Sequence, residues 1–214
     1  MDGFLFVGDY DCETHGDANE TANGITALMG AVKGKYSNLN DANSVLVQGN
    51  HDYNISALSP SGNNDTASYG VYVIHEDDFP GDDKNAQATV QATAKNLDAY
   101  LDAKVAAGYT KPIFVVSHLP LHYTYRTASR YDGIYASELV DVLNEGGENG
   151  LNIIFLYGHI HSHGYDEYMG GEYVYIPRDG QIAVATSQTK CAYETIDFTY
   201  MNAGYVSYYC PIPG

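Results

Sequence analysis

Hydrophobic residues gather in four short continuous runs: Phe4 to Val7, Val45 to Val47, Ile113 to Val116 and Ile153 to Tyr157. None alternates with polar residues, so each predicts a strand covered on both faces, as in a buried parallel sheet. Between the runs the apolar spacing becomes helical. Ala22 to Tyr36 places Ile25, Leu28, Met29 and Val32 on one face. Asn85 to Ala107 is alanine-rich, carries Val90, Leu97, Leu101 and Val105 in register, and ends near Gly108. Tyr135 to Asn144 carries Leu139, Val142 and Leu143 and is expected to stop at Gly146-Gly147. Strands alternating with helices predict an α/β architecture. The last third reads differently. Tyr173 to Ile176, Ile182 to Thr186, Tyr193 to Tyr200 and Tyr205 to Tyr209 are β-branched and aromatic with no helix between them. They predict a second, mostly antiparallel sheet. Gly62-Asn63-Asn64-Asp65 and Gly81-Asp82-Asp83 mark loops inside one domain, taken as residues 1–214.

Composition narrows the functional classes. With 27 acidic against 10 basic residues the 214-residue chain carries a formal charge of -17. Its lysines and arginines are scattered, so nucleic acid is not expected as a main partner. No apolar run is long enough to span a bilayer. Three cysteines, Cys12, Cys191 and Cys210, do not make a disulfide framework. Cys191 and Cys210 either pair across neighbouring strands or remain buried thiols. Met1 to Asp9 lacks the basic start and the long apolar stretch of a signal peptide. A composition of 21 Tyr and 22 Gly with few lysines nevertheless leans toward an exported or cell-surface protein.

Candidate chemistry follows directly on the four runs. The first leads into Gly8-Asp9 and the second into Gly49-Asn50-His51-Asp52. The third leads into Ser117-His118, and the fourth into Gly158-His159-Ile160-His161. Ligands gather at the carboxyl ends of parallel strands, where loops from different strands meet. Glycine before Asp9, Asn50 and His159 is expected to let the backbone turn sharply and come close to an ion. His159 and His161, two apart, share one face of an extended segment and can reach two adjacent ions. Carboxylate, amide and imidazole together suit Zn, Mn or Fe better than Ca. Two such ions about 3.5–4 Å apart can activate a water and stabilise the leaving oxygen of a phosphate ester.

At these residues the sequence resembles the calcineurin-like metallophosphoesterases, relatives of purple acid phosphatases and protein serine/threonine phosphatases. GD (8–9), GNHD (49–52), SHLPLH (117–122) and GHIH (158–161) match that family's motifs in order. The resemblance implies two facing mixed sheets flanked by helices, a four-layer αββα sandwich. It also implies hydrolysis of phosphate monoesters or diesters at a binuclear centre of Mn, Zn or Fe, acting on a small phosphate-ester substrate. Asp9 would bridge the ions; Asn50, His118 and His159 would complete one site, and His161 would serve the other. His51 would donate a proton to the leaving group, with Asp52 orienting it.

One motif departs. The family's D-x-H, which precedes its GD, occurs nowhere in the chain. The expectation is an N-terminally truncated domain, missing its first strand and with one metal site incomplete. An exposed sheet edge would then favour self-association. Glu13-Thr14-His15 has a similar spacing but follows Asp9, and reads as loop. Cys12 is either a soft ligand or a buried thiol. Several further residues stay open: His122 lines the substrate pocket or supports a ligand. Arg126 and Arg130 are candidates to clamp phosphate, and Tyr123, Tyr125 and Tyr131 to stack on an aromatic group. His163 reads as supporting or solvent-facing, and His75, ending a predicted strand, as structural. A rival function is a catalytically impaired remnant, a binding or surface-interaction module with at most one metal.

Overall fold

A computed structural model describes residues 3–10, 17–80, 86–127, 130–159, 168–169, 172–174, 180–187 and 190–203. Within them the chain is mixed α/β, with several sheets and three α-helices. In chain order these are β1 (Phe4–Phe6), α1 (Ala18–Lys35), β2 (Ser44–Leu46), β3 (Gly62–Asn63), β4 (Gly70–Ile74) and α2 (Gln87–Ala106). Then come β5 (Ile113–Ser117), β6 (Thr124–Thr127), β7 (Arg130–Asp132), α3 (Ser137–Glu148) and β8 (Ile153–Tyr157). The rest are β9 (Tyr168–Met169), β10 (Glu172–Val174), β11 (Gln181–Ser187), β12 (Lys190–Thr195) and β13 (Thr199–Asn202).

All four apolar runs are strands, and their continuity has the expected cause. In the five-stranded sheet of order β13-β8-β5-β4-β3, β13, β8, β5 and β4 run parallel, and β3 closes one edge antiparallel. Tyr72, Ile74, Ile113, Val115, Ile153 and Phe155 join a core cluster with Val90, Leu97 and Leu101 of α2 and Leu139, Val140 and Leu143 of α3. The intervening residues Val71, Val73 and Val116 belong to a second cluster, with Val7, Val45 and Val47 at the β1–β2 pair. Alternate side chains thus enter two cores, and neither face of the sheet can be polar. The parallel pair β1–β2 divides its residues in the same way. Val45 and Val47 enter the second cluster, while Leu46 packs with Ile25 and Met29 of α1.

The helices depart from expectation at their ends. α1 begins at Ala18, ahead of Ala22, because the Asp17 carboxylate accepts the amides of Asn19 and Glu20 at 2.7 and 3.0 Å. α3 runs through Gly146-Gly147 to Glu148 and ends at Asn149, where Gly150 takes φ +89°. The glycine pair is a contact surface within the helix and does not stop it. A Cβ on Gly147 would lie 2.1 Å from the Asp197 carbonyl oxygen, so the helix approaches the β12–β13 connection only with glycine there.

The C-terminal strands also differ in detail. Tyr193 to Tyr200 is two strands, β12 and β13, broken at residues 196–198. β12 pairs antiparallel with β11, whereas β13 leaves the antiparallel set and pairs parallel with β8. A separate antiparallel sheet has the order β7-β6-β10-β9. Tyr205 to Tyr209 lie outside the described residues, as does Cys210, so the Cys191–Cys210 pairing does too. Among the described residues no helix is long and apolar enough to cross a membrane.

Two glycine substitutions test this packing in opposite directions. A Cβ added to Gly30 of α1 would meet nothing within 4 Å, so Gly30→Ala should stabilise the protein by about 0.5–1 kcal/mol. Gly147→Ala gains the same helix propensity but collides with Asp197, and should destabilise by about 1–3 kcal/mol. Denaturant midpoints of the two variants check both signs.

Candidate metal centre

Four polar side chains converge where β1, β2, β5 and β8 end. The His118 Nε2 lies 2.9 Å from Asn50 Oδ1, 3.1 Å from His159 Nδ1 and 3.4 Å from Asp9 Oδ1. His159 Nδ1 is 2.8 Å from the same Asn50 oxygen. His118 and His159 are buried, at 1% and 8% exposure. Ligand atoms about 2.1 Å from one ion stand about 3.0–3.4 Å apart at octahedral or tetrahedral angles. The observed separations fall in or beside that span. Among the described residues Asp9, His118 and His159 thus form a cluster able to hold a metal ion.

The main chain sets which nitrogen of His118 faces the cluster. Its Nδ1–H donates to the Val7 carbonyl at 2.6 Å, so Nε2 is the atom presented to the other ligands. Val7 is the last residue of the first apolar run, and no side-chain pattern announces the role of its carbonyl. The same strand end therefore supplies both Asp9 and the group that orients His118.

Close backbone approach is what the glycines provide. A Cβ on Gly8, at φ +99°, would meet the Gly49 nitrogen at 2.6 Å and His118 Nδ1 at 2.7 Å. One on Gly49 would lie 2.3 Å from Asp9 Oδ1. The glycines let the loops approach one another; the expected sharp turn falls on Gly8 and continues into Asp9, whereas after β8 it falls on His159, one residue past Gly158. Asp9 and His159 are themselves in the left-handed region, at φ +58° and +61°. Such non-glycine conformations concentrate at functional sites, held by surrounding contacts.

Asp52 supplies much of that hold. Its Oδ2 accepts the amides of Asp9 at 2.7 Å and Gly49 at 2.8 Å, and its Oδ1 accepts the Tyr10 amide at 2.8 Å. In return the His51 amide donates to Asp9 Oδ1 at 3.2 Å. The turn is braced from outside as well: Thr21 Oγ1 of α1 accepts the Tyr53 amide at 3.0 Å. His75 Nδ1 accepts the Gln48 amide at 2.8 Å, and its Nε2–H donates to the Ser59 carbonyl at 2.7 Å. His75 thus has the structural place expected of it.

Electrostatics bind the pair at the centre. Burial by itself raises the Asp9 carboxyl, but His118 beside it, with His51 and His159, holds it well below the usual carboxylate range. Burial likewise disfavours charge on His118, yet the Asp9 carboxylate and the Val7 carbonyl raise its pKa above the ordinary histidine value.

Other candidates are placed elsewhere. His122 is 1% exposed, its Nδ1 2.8 Å from the Tyr200 hydroxyl, which also accepts the amides of Leu121 and His122. Tyr123 is buried, its amide donating to the Ala183 carbonyl at 2.8 Å. Arg126, Arg130, Tyr125 and Tyr131 lie in β6 and β7, and their side chains are outside the described part. His161, His163, Cys12 and Glu13-Thr14-His15 are outside the described residues.

A scan against protein-family models finds no match for this chain, and a search of curated proteins finds none.

Metal binding should compete with the proton on His118. The affinity for Zn²⁺ or Mn²⁺ is expected to fall as pH drops through the raised His118 pKa and to level off above it. Binding below that value should release about one proton per ion. Titration calorimetry in buffers of different ionisation enthalpy measures both.

Proposed function

We propose that the chain is a metal-dependent hydrolase of phosphate monoesters or diesters, of the calcineurin-like metallophosphoesterase type. One observation carries the reading: donor atoms of Asp9, Asn50, His118 and His159, from four separate strand ends, meet within ligand-to-ligand distance. Their order along the chain is the order of that family's motifs, and the family's two-sheet sandwich is the architecture the reading carries with it. The mixed oxygen and nitrogen donors favour Mn, Zn or Fe. Ions held there would polarise the phosphate ester and an attacking water.

The protein's own groups then divide the remaining work. Asp9, Asn50, His118 and His159 hold an ion, and His161 belongs to the second site on this reading. His51 sits beside them, its main chain fixed by the bond to Asp9 Oδ1. As water oxygen bonds to phosphorus and the ester bond breaks, the His51 imidazole gives a proton to the departing oxygen. The net charge of -17 disfavours a polyanionic substrate and suits a small ester. An exported or cell-surface setting fits the tyrosine-rich composition.

A second reading has an observation of its own. Asp9, His118 and His159 suffice to hold one ion, and a single-ion binding module that performs no hydrolysis is the rival. Hydrolysis of p-nitrophenyl phosphate and its bis ester with added Mn²⁺, Zn²⁺ or Fe²⁺ separates them. Chelator-sensitive hydrolysis is expected. His118→Ala should abolish activity and metal binding together, while His51→Ala should cost about 10²–10⁴ in rate with the metal retained. Metal bound tightly with no hydrolysis of either ester would favour the binding module.

A further inference from the structure

We infer that Asp52 is a positioning residue of the metal site, clamping the Asp9 loop to the Gly49-Asn50 turn so that Asp9 and Asn50 reach one point. The inference rests on the metal-dependent reading above, and gives Asp52 a task different from orienting the His51 imidazole.

The geometry is that of a clasp between two segments 42 or 43 residues apart in sequence. One carboxylate, 8% exposed, collects three amide donors: Asp9 and Tyr10 from one side, Gly49 from the other. Hydrogen bonds to an ionised acceptor are the strong kind, and burial strengthens them further. The Asp9 amide is the donor at a left-handed, non-glycine residue, where backbone geometry needs outside support. The clasp is reciprocal, because the His51 amide donates to the Asp9 side chain. Asp9 and Asn50 are thus held through their own or their neighbour's backbone, the level at which a ligand's reach is set. Gly49 completes the fit: any Cβ there would enter the space between Asp9 and Asp52.

The test compares the unaltered chain with Asp52→Asn and Asp52→Ala, titrated with Mn²⁺ and with Zn²⁺ in a calorimeter. Amide hydrogen exchange is followed on the metal-free proteins. Asp52→Ala should bind about 10–100-fold more weakly. Asp52→Asn, which keeps one acceptor oxygen, should lose less. Exchange should quicken at Asp9, Tyr10 and Gly49 while the Val115 and Phe155 amides of the sheet stay protected. Hydrolysis lost at low metal concentration should return as metal is raised. Variants that bind metal as tightly as the parent overturn the inference and leave the metal site standing. So does a rate loss that added metal does not relieve. Exchange quickened throughout the sheet also overturns it, since Asp52 would then be a general determinant of folding. A parent chain that binds neither metal overturns the metal reading and this inference together.

Discussion

Polar atoms of Asp9, Asn50, His118 and His159 are linked by separations of 2.8–3.4 Å, and any two that meet lone pair to lone pair repel unless a proton or a cation lies between them. In water that repulsion would be screened; where His118 is 1% exposed it is not. A shared ring proton relieves it, and so would a divalent cation. Much of the surrounding structure acts to keep these atoms from moving apart. Buried polar groups held this way are costly unless satisfied, whether by a shared ring proton or by an ion.

The holding is mainly backbone work. Val7 orients His118 by its carbonyl, and Asp52 binds amides of both the Asp9 and the Gly49 segments. Gly8 and Gly49 are in contact that no side chain would permit. Gly8, Asp9 and His159 take positive φ values where the chain turns to serve this packing. Beneath the site, Val7 just after β1, Val45 and Val47 at β2, and the valines of β4 and β5 fill the second core cluster. A stiff apolar base of this kind fixes the strand ends, and the strand ends fix the ligands. Precision at the site is therefore set at the level of the sheet.

The same architecture separates residues that look equivalent in a motif. His118 and His122 share the segment SHLPLH, and both are buried. One faces the ligand cluster, and the other meets the Tyr200 hydroxyl on β13. That tyrosine sits on a strand that joins β8 in parallel, so the C-terminal part of the chain helps to support the loop after β5.

Composition and periodicity alone determined the strands and helices that matter. Uninterrupted apolar runs of this length suit strands covered on both faces, and the polar residues directly after them then lie at strand ends. Asp9, Asn50, His118 and His159 were therefore legible as candidates to meet, because local pattern sets each strand end. Three things were not legible. The run through Gly146-Gly147 reads as a helix stop until Asp197 is seen packed against it. Tyr193 to Tyr200 reads as one strand, since periodicity does not say which partner each half will find. The bonds of Val7 and Asp52 join segments far apart in sequence, one of them through a main-chain carbonyl that carries no residue signature. Local pattern specifies which face is buried and where an element ends. Which backbone atoms then meet is decided only when separate elements pack.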